Sequence, residues 1–410
     1  MTDTDKDFYR LLAGQMKSEL LNDILPFWAT KMDDGHGGFH PRMDGCGNII
    51  PDEPRGGILN SRILWTFSAA FRMFREPYLK ETASKAFAQI RDKFYDPVYG
   101  GIYWSIAPDG LPADPKKQFY AIAFAIYGLS EYHRATGCVE ALDLAVKLYN
   151  DIEAHSRDNA LGGYLEAAGR DWSPLEDMRL SEKDRNDAKT MNTHLHILEA
   201  YANLYRVWPD AGLGRDLKSL IELFLERIIR PDGHLGLFFD ADWNPTSEAC
   251  SYGHDIETSW LLMESAEILG DAALLEKVRE TSTRLATASI EGLQPSGGMF
   301  YDHDPATGET GDYYEWWVQA ELVVGCVTQH LITGNGIWFE RALDAWEFIK
   351  AHIICPKGEW YWGAGKDLKP DTVNDRAGFW KCPYHSGRMC MEITRYARAL
   401  LPDGTWGLPL

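Results

Sequence analysis

"DPVYGGIYWSIAPDG", residues 96–110, decides how the rest of the chain is read. Turn residues come first, then Gly-Gly, then a short alternation of aromatic and apolar residues, then a second polar turn. Such a stretch reads as a short strand or hairpin. The same plan recurs five times: "DGHGGFHPRMDG" (34–45), "NALGGYLEAAGRDW" (159–172), "PDGHLGLFFDADW" (231–243), "PSGGMFYDHDPATG" (295–308) and "PKGEWYWGAGKD" (356–367). Taking the Gly before each alternating run as a marker gives Gly38, Gly101, Gly163, Gly236, Gly298 and Gly358. The spacings are 63, 62, 73, 62 and 60 residues. A fixed period of this kind is the signature of a repeat architecture.

Between consecutive markers lie two stretches with helical periodicity. The spacing predicts helices over 57–75 and 78–94, 115–136 and 139–156, 187–206 and 211–229, 254–269 and 271–289, and 312–334 and 336–353. One more precedes the first marker (6–30) and one follows the last (384–400), so the two terminal helices complete a sixth pair. "RVWPDAG", "LITGNG" and "YHRATG" end helices with Gly or Pro chemistry. An open solenoid needs polar capping repeats, whereas here the first and last helices are apolar-periodic. The expectation is an all-α fold: an (α/α)6 barrel of twelve helices with short β-hairpins at one end, forming a single catalytic domain over 1–410.

Bulk properties narrow the partners. The formal net charge of −20 repels phosphate backbones and anionic lipid, so neither nucleic acid nor a membrane surface is expected. No apolar run approaches the roughly 20 residues of a membrane helix. The seven cysteines (46, 138, 250, 326, 355, 382 and 390) are odd in number and form no Cys-x-x-Cys, which suits a reducing, cytoplasmic setting. The chain carries 15 Trp, 19 Tyr and 17 Phe. Most must be core, but such a surplus also suits a pocket that stacks on sugar rings.

The first helix after each hairpin is assigned to the inner ring. All six run the same way, so their N-terminal ends meet at one mouth. There stand Arg62 and Trp65; Tyr120; Asn192, His194 and His196; His254 and Glu257; Trp316, Trp317 and Glu321; and Trp380, His385, Arg388 and Glu392. Polar groups cost free energy in a barrel interior unless paired, and six helices placing them at one end points to a pocket. His194 and His196 are two apart, about 200° around a helix, so one faces the mouth and the other the outer layer. His196, His254, Glu257 and His385 leave a metal site open as an alternative.

No phosphate loop and no Gly-x-Ser-x-Gly elbow occurs. Histidine titrates near neutrality and can give and take protons. Two histidines from different helices can flank a carbon and move a proton from one face to the other, with an arginine steadying an enediolate oxygen. Such an inversion next to a carbonyl needs no cofactor.

"LNSRILWTFS", "NTHLHILEAY", "HDIETSWLL" and "CPYHSGRMCMEI" resemble the N-acylglucosamine 2-epimerase superfamily, and within it most closely the cellobiose 2-epimerases. The resemblance runs over essentially the whole chain. It implies an (α/α)6 barrel that interconverts the reducing-end glucose and mannose of β-1,4-linked disaccharides. The steps implied are ring opening, C2 deprotonation to a cis-enediolate, rotation about C2–C3 and reprotonation. By motif position His385 and His254 would be the acid/base pair, His196 would assist at the enediolate or ring oxygen, and Arg62 would hold the reacting oxygens. Tyr120, Asn192 and Glu257 would bind hydroxyls, Trp317 and Trp380 would stack on the sugar rings, and Asp184 would also reach the sugar. Glu321, Arg388 and Glu392 would be supporting ions. His194 would pack.

The expected partner is therefore a small-molecule sugar, met by a monomer or homodimer without cofactor or metal. Rival readings are the same chemistry on mannobiose, on free mannose or glucose, or on N-acetylglucosamine, including aldose–ketose isomerisation. A glycoside hydrolase would instead need two carboxyls about 5–9 Å apart across the bond, for which Glu257 and Glu321 are the candidates. A non-catalytic sugar-binding protein would explain the aromatics but not the mouth histidines.

Overall fold

A computed structural model describes residues 3–182 and 184–401; the ends of the expected 1–410 domain lie outside the described residues. Twelve α-helices follow in order: α1 (Asp3–Glu19), α2 (Gly57–Phe74), α3 (Pro77–Gln89), α4 (Phe119–Thr136), α5 (Val139–His155), α6 (Met191–Val207), α7 (Ala211–Leu223), α8 (Tyr252–Leu269), α9 (Ala272–Ser289), α10 (Trp316–Thr333), α11 (Gly336–His352) and α12 (Tyr384–Leu400). The even-numbered helices form a closed inner ring in which each packs on the next and α12 returns to α2. The odd-numbered helices surround them. The fold is an (α/α)6 barrel.

Burial separates the two layers. α4 buries fifteen of its eighteen residues, against eight of eighteen for α9. A helix apolar nearly all round belongs inside, and one with a single apolar stripe belongs outside. Inner helices approach closely where a side chain is missing: a Cβ on Gly128 of α4 would lie 2.7 Å from the Ser61 carbonyl of α2, and one on Gly325 of α10 would strike Ile256 of α8.

Three helices start later than their periodicity suggests. The residues before α4, α6 and α10 are two- and three-residue strands: β1 (Lys117–Gln118), β3 (Lys189–Thr190) and β5 (Tyr313–Glu315). Each pairs with a strand in the hairpin of the following repeat: β2 (Ala167–Ala168), β4 (Phe238–Phe239) and β6 (Gly363–Gly365) respectively. Their backbone groups are satisfied across the ring rather than along the helix. A bridge between Met43 and Ala377 joins the first hairpin to the last entry segment. At the same seam Trp28 and Lys381 both donate to buried Glu359, and Trp360 donates to Glu19 at 2.8 Å.

With the pairings of Arg55–Gly56 on Ser105–Ile106 before α2 and of Cys250–Ser251 on Asp302 and His303 before α8, these contacts fix the N-terminal ends of the six inner helices around one mouth. All seven cysteines are free thiols, and no helix among the described residues is long and apolar enough to cross a membrane.

Candidate active site

Three histidines from three inner helices enter the mouth, and each is held by Nδ1. His196 Nδ1 meets Glu199 Oε2 at 3.0 Å, one turn further along α6. His254 Nδ1 meets Ser251 Oγ at 2.8 Å, and the same hydroxyl caps α8 by accepting the His254 backbone N–H. His385 Nδ1 donates to Glu321 Oε1 at 2.7 Å across from α10. Among the described residues no protein group bonds any of the three Nε2 atoms. Anchoring one ring nitrogen fixes which nitrogen is presented to a substrate.

His254 and His385 share a wall. The Trp317 ring lies 4.8 Å from the His254 ring and 5.6 Å from the His385 ring, and its indole N–H donates to Glu315. Burial first, then nearby His196, lowers His254 to about 3. Burial, followed by Arg388 and Arg62, holds His385 well below the ordinary histidine value. Desolvation disfavours the charged form, so neither ring holds an added proton tightly, and each can give one up as readily as take it.

Arg62 is buried beside them. It donates to the Tyr120 hydroxyl at 2.8 Å and to the Trp380 carbonyl at 3.3 Å, and lies over the Phe124 ring at 4.2 Å. Its Nε, like Asn192 Oδ1, is buried without a protein partner among the described residues. Tyr120 also stands edge-on to His196 at 4.9 Å and to Trp380 at 6.2 Å. Arg62, Tyr120, His196 and Trp380 are thus one contact group, and His254, Trp317 and His385 a second. Glu257 joins the two through Arg388, which bonds Glu257, Glu321 and Glu199.

Asp184 stands apart. It accepts from the Ser181 backbone N–H and hydroxyl at 2.9 and 2.8 Å, and no hydrogen bond ties it to the histidines. Glu392 pairs with Arg395 of its own helix. His194 turns away as the helical angle requires: Nδ1 donates to the Thr190 carbonyl at 2.6 Å, Nε2 accepts the Tyr164 N–H at 2.9 Å, and the ring meets Trp243. Both nitrogens are occupied by backbone.

Sequence reasoning missed Glu199 and Tyr384. Tyr384 donates to Glu199, and Arg388 contacts both. The signal for Glu199 was its place three residues after His196, on the same helical face.

The two carboxylates considered for hydrolysis do not flank an open bond. Glu257 Oε1 and Glu321 Oε1 are both bonded to the same guanidinium nitrogen of Arg388, at 2.5 and 2.7 Å. Metal coordination meets the same obstacle. One ligand atom each from Glu257, Glu321 and His385 lies within 4.8 Å of the others, but Arg388 already supplies a cation there.

This geometry has counterparts. The model of the N-acylglucosamine 2-epimerase (GlcNAc 2-epimerase) family matches residues 37–386. The chain belongs to that family. Among 2-epimerases it is 51% identical over 386 residues to the cellobiose 2-epimerase of Bacteroides fragilis, covering 93% of this chain and 98% of that one. It is 37% identical to the cellobiose 2-epimerase of Ruminococcus albus, with the same coverage. The solved cellobiose 2-epimerase of Bacillus thermoamylovorans superposes with a TM-score of 0.90 at 35% identity, covering 94% of this chain and all of that one.

Proposed function

We infer that this protein is a cellobiose 2-epimerase, an isomerase that interconverts the reducing-end glucose and mannose of β-1,4-linked disaccharides. The near-full-length likeness to cellobiose 2-epimerases supports the substrate class. The observation that carries the chemistry is the set of three Nδ1-anchored histidines from three inner helices, whose Nε2 atoms no described protein group occupies.

In this reading the open-chain sugar lies with C2 between His385 and His254, against Trp317. Glucose-to-mannose conversion begins when His385 Nε2 takes the C2 proton. Its electrons pass into the C1–C2 bond and the carbonyl oxygen becomes an enediolate. Rotation about C2–C3 turns the other face to His254, which delivers the proton it carries to C2. The reverse reaction exchanges the roles, as microscopic reversibility requires. One proton on the pair suffices, and it changes sides at each turnover.

Arg62 stabilises the enediolate oxygen, held for that task by Tyr120 and the Trp380 carbonyl. Its free Nε and Asn192 Oδ1 are buried polar atoms that a sugar oxygen and hydroxyl would satisfy. His196, whose Nδ1–H goes to Glu199, assists at the enediolate or ring oxygen by accepting its hydroxyl hydrogen at Nε2, and Trp317 and Trp380 stack on the sugar. Asp184, whose partner is Ser181, is the least engaged of these residues. The barrel acts as one catalytic domain on a small sugar in the cytoplasm, as a monomer or homodimer, with no cofactor.

Incubation with cellobiose and identification of the disaccharide formed tests this. Glucosyl-mannose without free glucose is expected; free glucose as the main product would contradict it. Parallel incubations with mannobiose, mannose and N-acetylglucosamine rank the substrates.

A further inference from the structure

Three carboxylates from three inner helices converge on one guanidinium beneath the pocket. Glu199 of α6, Glu257 of α8 and Glu321 of α10 all bond Arg388 of α12. Their supply of donors differs. Glu199 accepts from His196 Nδ1, the Tyr384 hydroxyl and Arg388 Nη1. Glu321 accepts from His385 Nδ1 and Arg388 Nη2 at Oε1, and from Trp260 Nε1 at Oε2, 2.9 Å away. Both oxygens of each are engaged by donors, as an ionised carboxylate requires. Glu257 has Arg388 on Oε1 and, among the described residues, no protein donor on Oε2.

The charge count sharpens this difference. The three glutamates and Arg388 each have side chains only 1% exposed. Among the described residues Arg62 is the other buried guanidinium near them, and it bonds no carboxylate. Three carboxylates against two guanidiniums leave excess negative charge in a desolvated site, which is costly. Two carboxylates on one nitrogen do not both ionise easily. A proton placed on Glu199 or Glu321 would displace a donor. Placed on Glu257 Oε2 it displaces none.

We propose that Glu257 is a neutral carboxylic acid in the resting enzyme and donates a hydrogen bond from Oε2 to an oxygen of the reducing-end sugar. The identity of the ligand rests on the epimerase reading; the protonation state does not. Burial, and next the charge of Glu321, push the Glu257 carboxyl up to about 7. The charged and titratable groups facing it are Glu321 from α10, Arg388, Tyr384 and His385 from α12, the last with Nδ1 4.0 Å from Glu257 Oε1, Glu199 and His196 from α6, Tyr120 from α4 and Arg62 from α2. A neutral donor strengthens its hydrogen bond as the enediolate forms, whereas a second carboxylate there would repel it. No proton leaves Glu257 during turnover.

Two readouts test the proposal. In the substrate-free enzyme at about pH 6, the infrared difference spectrum between wild type and Glu257→Gln is expected to contain the carbonyl stretch of a protonated carboxylic acid. In kinetics, the wild-type KM for cellobiose is expected to rise about tenfold per pH unit above the Glu257 titration. Glu257→Gln, whose amide always donates, would lack that rise even though its kcat/KM is lower throughout. Absence of the infrared band would overturn the proposal and put the proton elsewhere, with His196 the nearest alternative. So would a wild-type KM that stays flat with pH. A band without turnover of any sugar would contradict the epimerase reading and leave the protonation state standing.

Discussion

Glu199 accepts the Nδ1–H of His196 at 3.0 Å and is at the same time an ion-pair partner of Arg388, which reaches it from the opposite side of the ring. Burial alone would raise the Glu199 carboxyl, but Arg388 and then His196 bring it down to about 2. One anion therefore sets the orientation of His196 and ties α6 to α12. Replacing Glu199 by Gln leaves Arg388 with an uncompensated contact and frees the imidazole. Breaking a buried ion pair costs about 3–5 kcal/mol. Glu199→Gln is expected to lose stability on that scale in urea unfolding and to lower kcat by at least about tenfold beyond any effect on KM.

The histidine pair predicts an asymmetry in proton exchange. His254→Ala retains His385 as a base, so it should wash solvent hydrogen into C2 of the glucose epimer while making almost no mannose epimer. His385→Ala should do the converse. Epimerisation in either is expected to fall by about 10²–10⁴, the usual worth of a positioned acid or base. Exchange into both epimers by either single variant would show that one base serves both faces.

Trp317 is the shared wall of His254 and His385. Trp317→Ala removes the surface that orients both rings and, in this account, the stacking surface of the sugar. A rise in KM and a fall in kcat together are expected, with Trp317→Phe recovering most of the kcat. A KM effect alone would confine Trp317 to binding.

Acid should destabilise the fold through His194. Burial, opposed only in part by its bond to the Thr190 carbonyl, lowers it to about 4. Its folded value lies below the unfolded one, so the unfolded chain binds more protons between about pH 6.5 and 4. The stability contributed by the neutral ring is complete above that window and is lost as pH falls through it, about 3 kcal/mol in all. Urea unfolding at about pH 7.5 and 5 should show His194→Gln to be less pH-sensitive than wild type by about 2 kcal/mol. Equal pH dependence would place the acid sensitivity elsewhere.

The ring was legible because its period is written in turn glycines, and because helices buried all round differ in pattern from helices with one apolar stripe. The entry strands were not. Lys117–Gln118 pairs with Ala167–Ala168, a partner fifty residues away, and two residues carry no periodicity. His196, His254 and His385 were legible as polar residues at the N-terminal ends of inner helices. Glu199 lies one turn deeper, where a polar residue reads as part of the core. Glu321 and Arg388 were visible as ions but not as a unit, since each takes its partners from other helices. Asp184 sits in a loop, where sequence gives no direction to a side chain, and its partner is the local Ser181.

In the proposed reaction C2 inverts by proton transfer between two histidines, in a site where Arg388 takes the place of a metal cation. The most direct test is incubation with cellobiose in D2O in the presence of EDTA, followed by proton NMR of the sugars. Glucosyl-mannose carrying deuterium at C2, formed at the same rate with and without the chelator, is expected. A product that retains its C2 proton would contradict transfer through solvent-exchangeable bases, and loss of activity with EDTA would return a metal to the cluster of Glu257, Glu321 and His385.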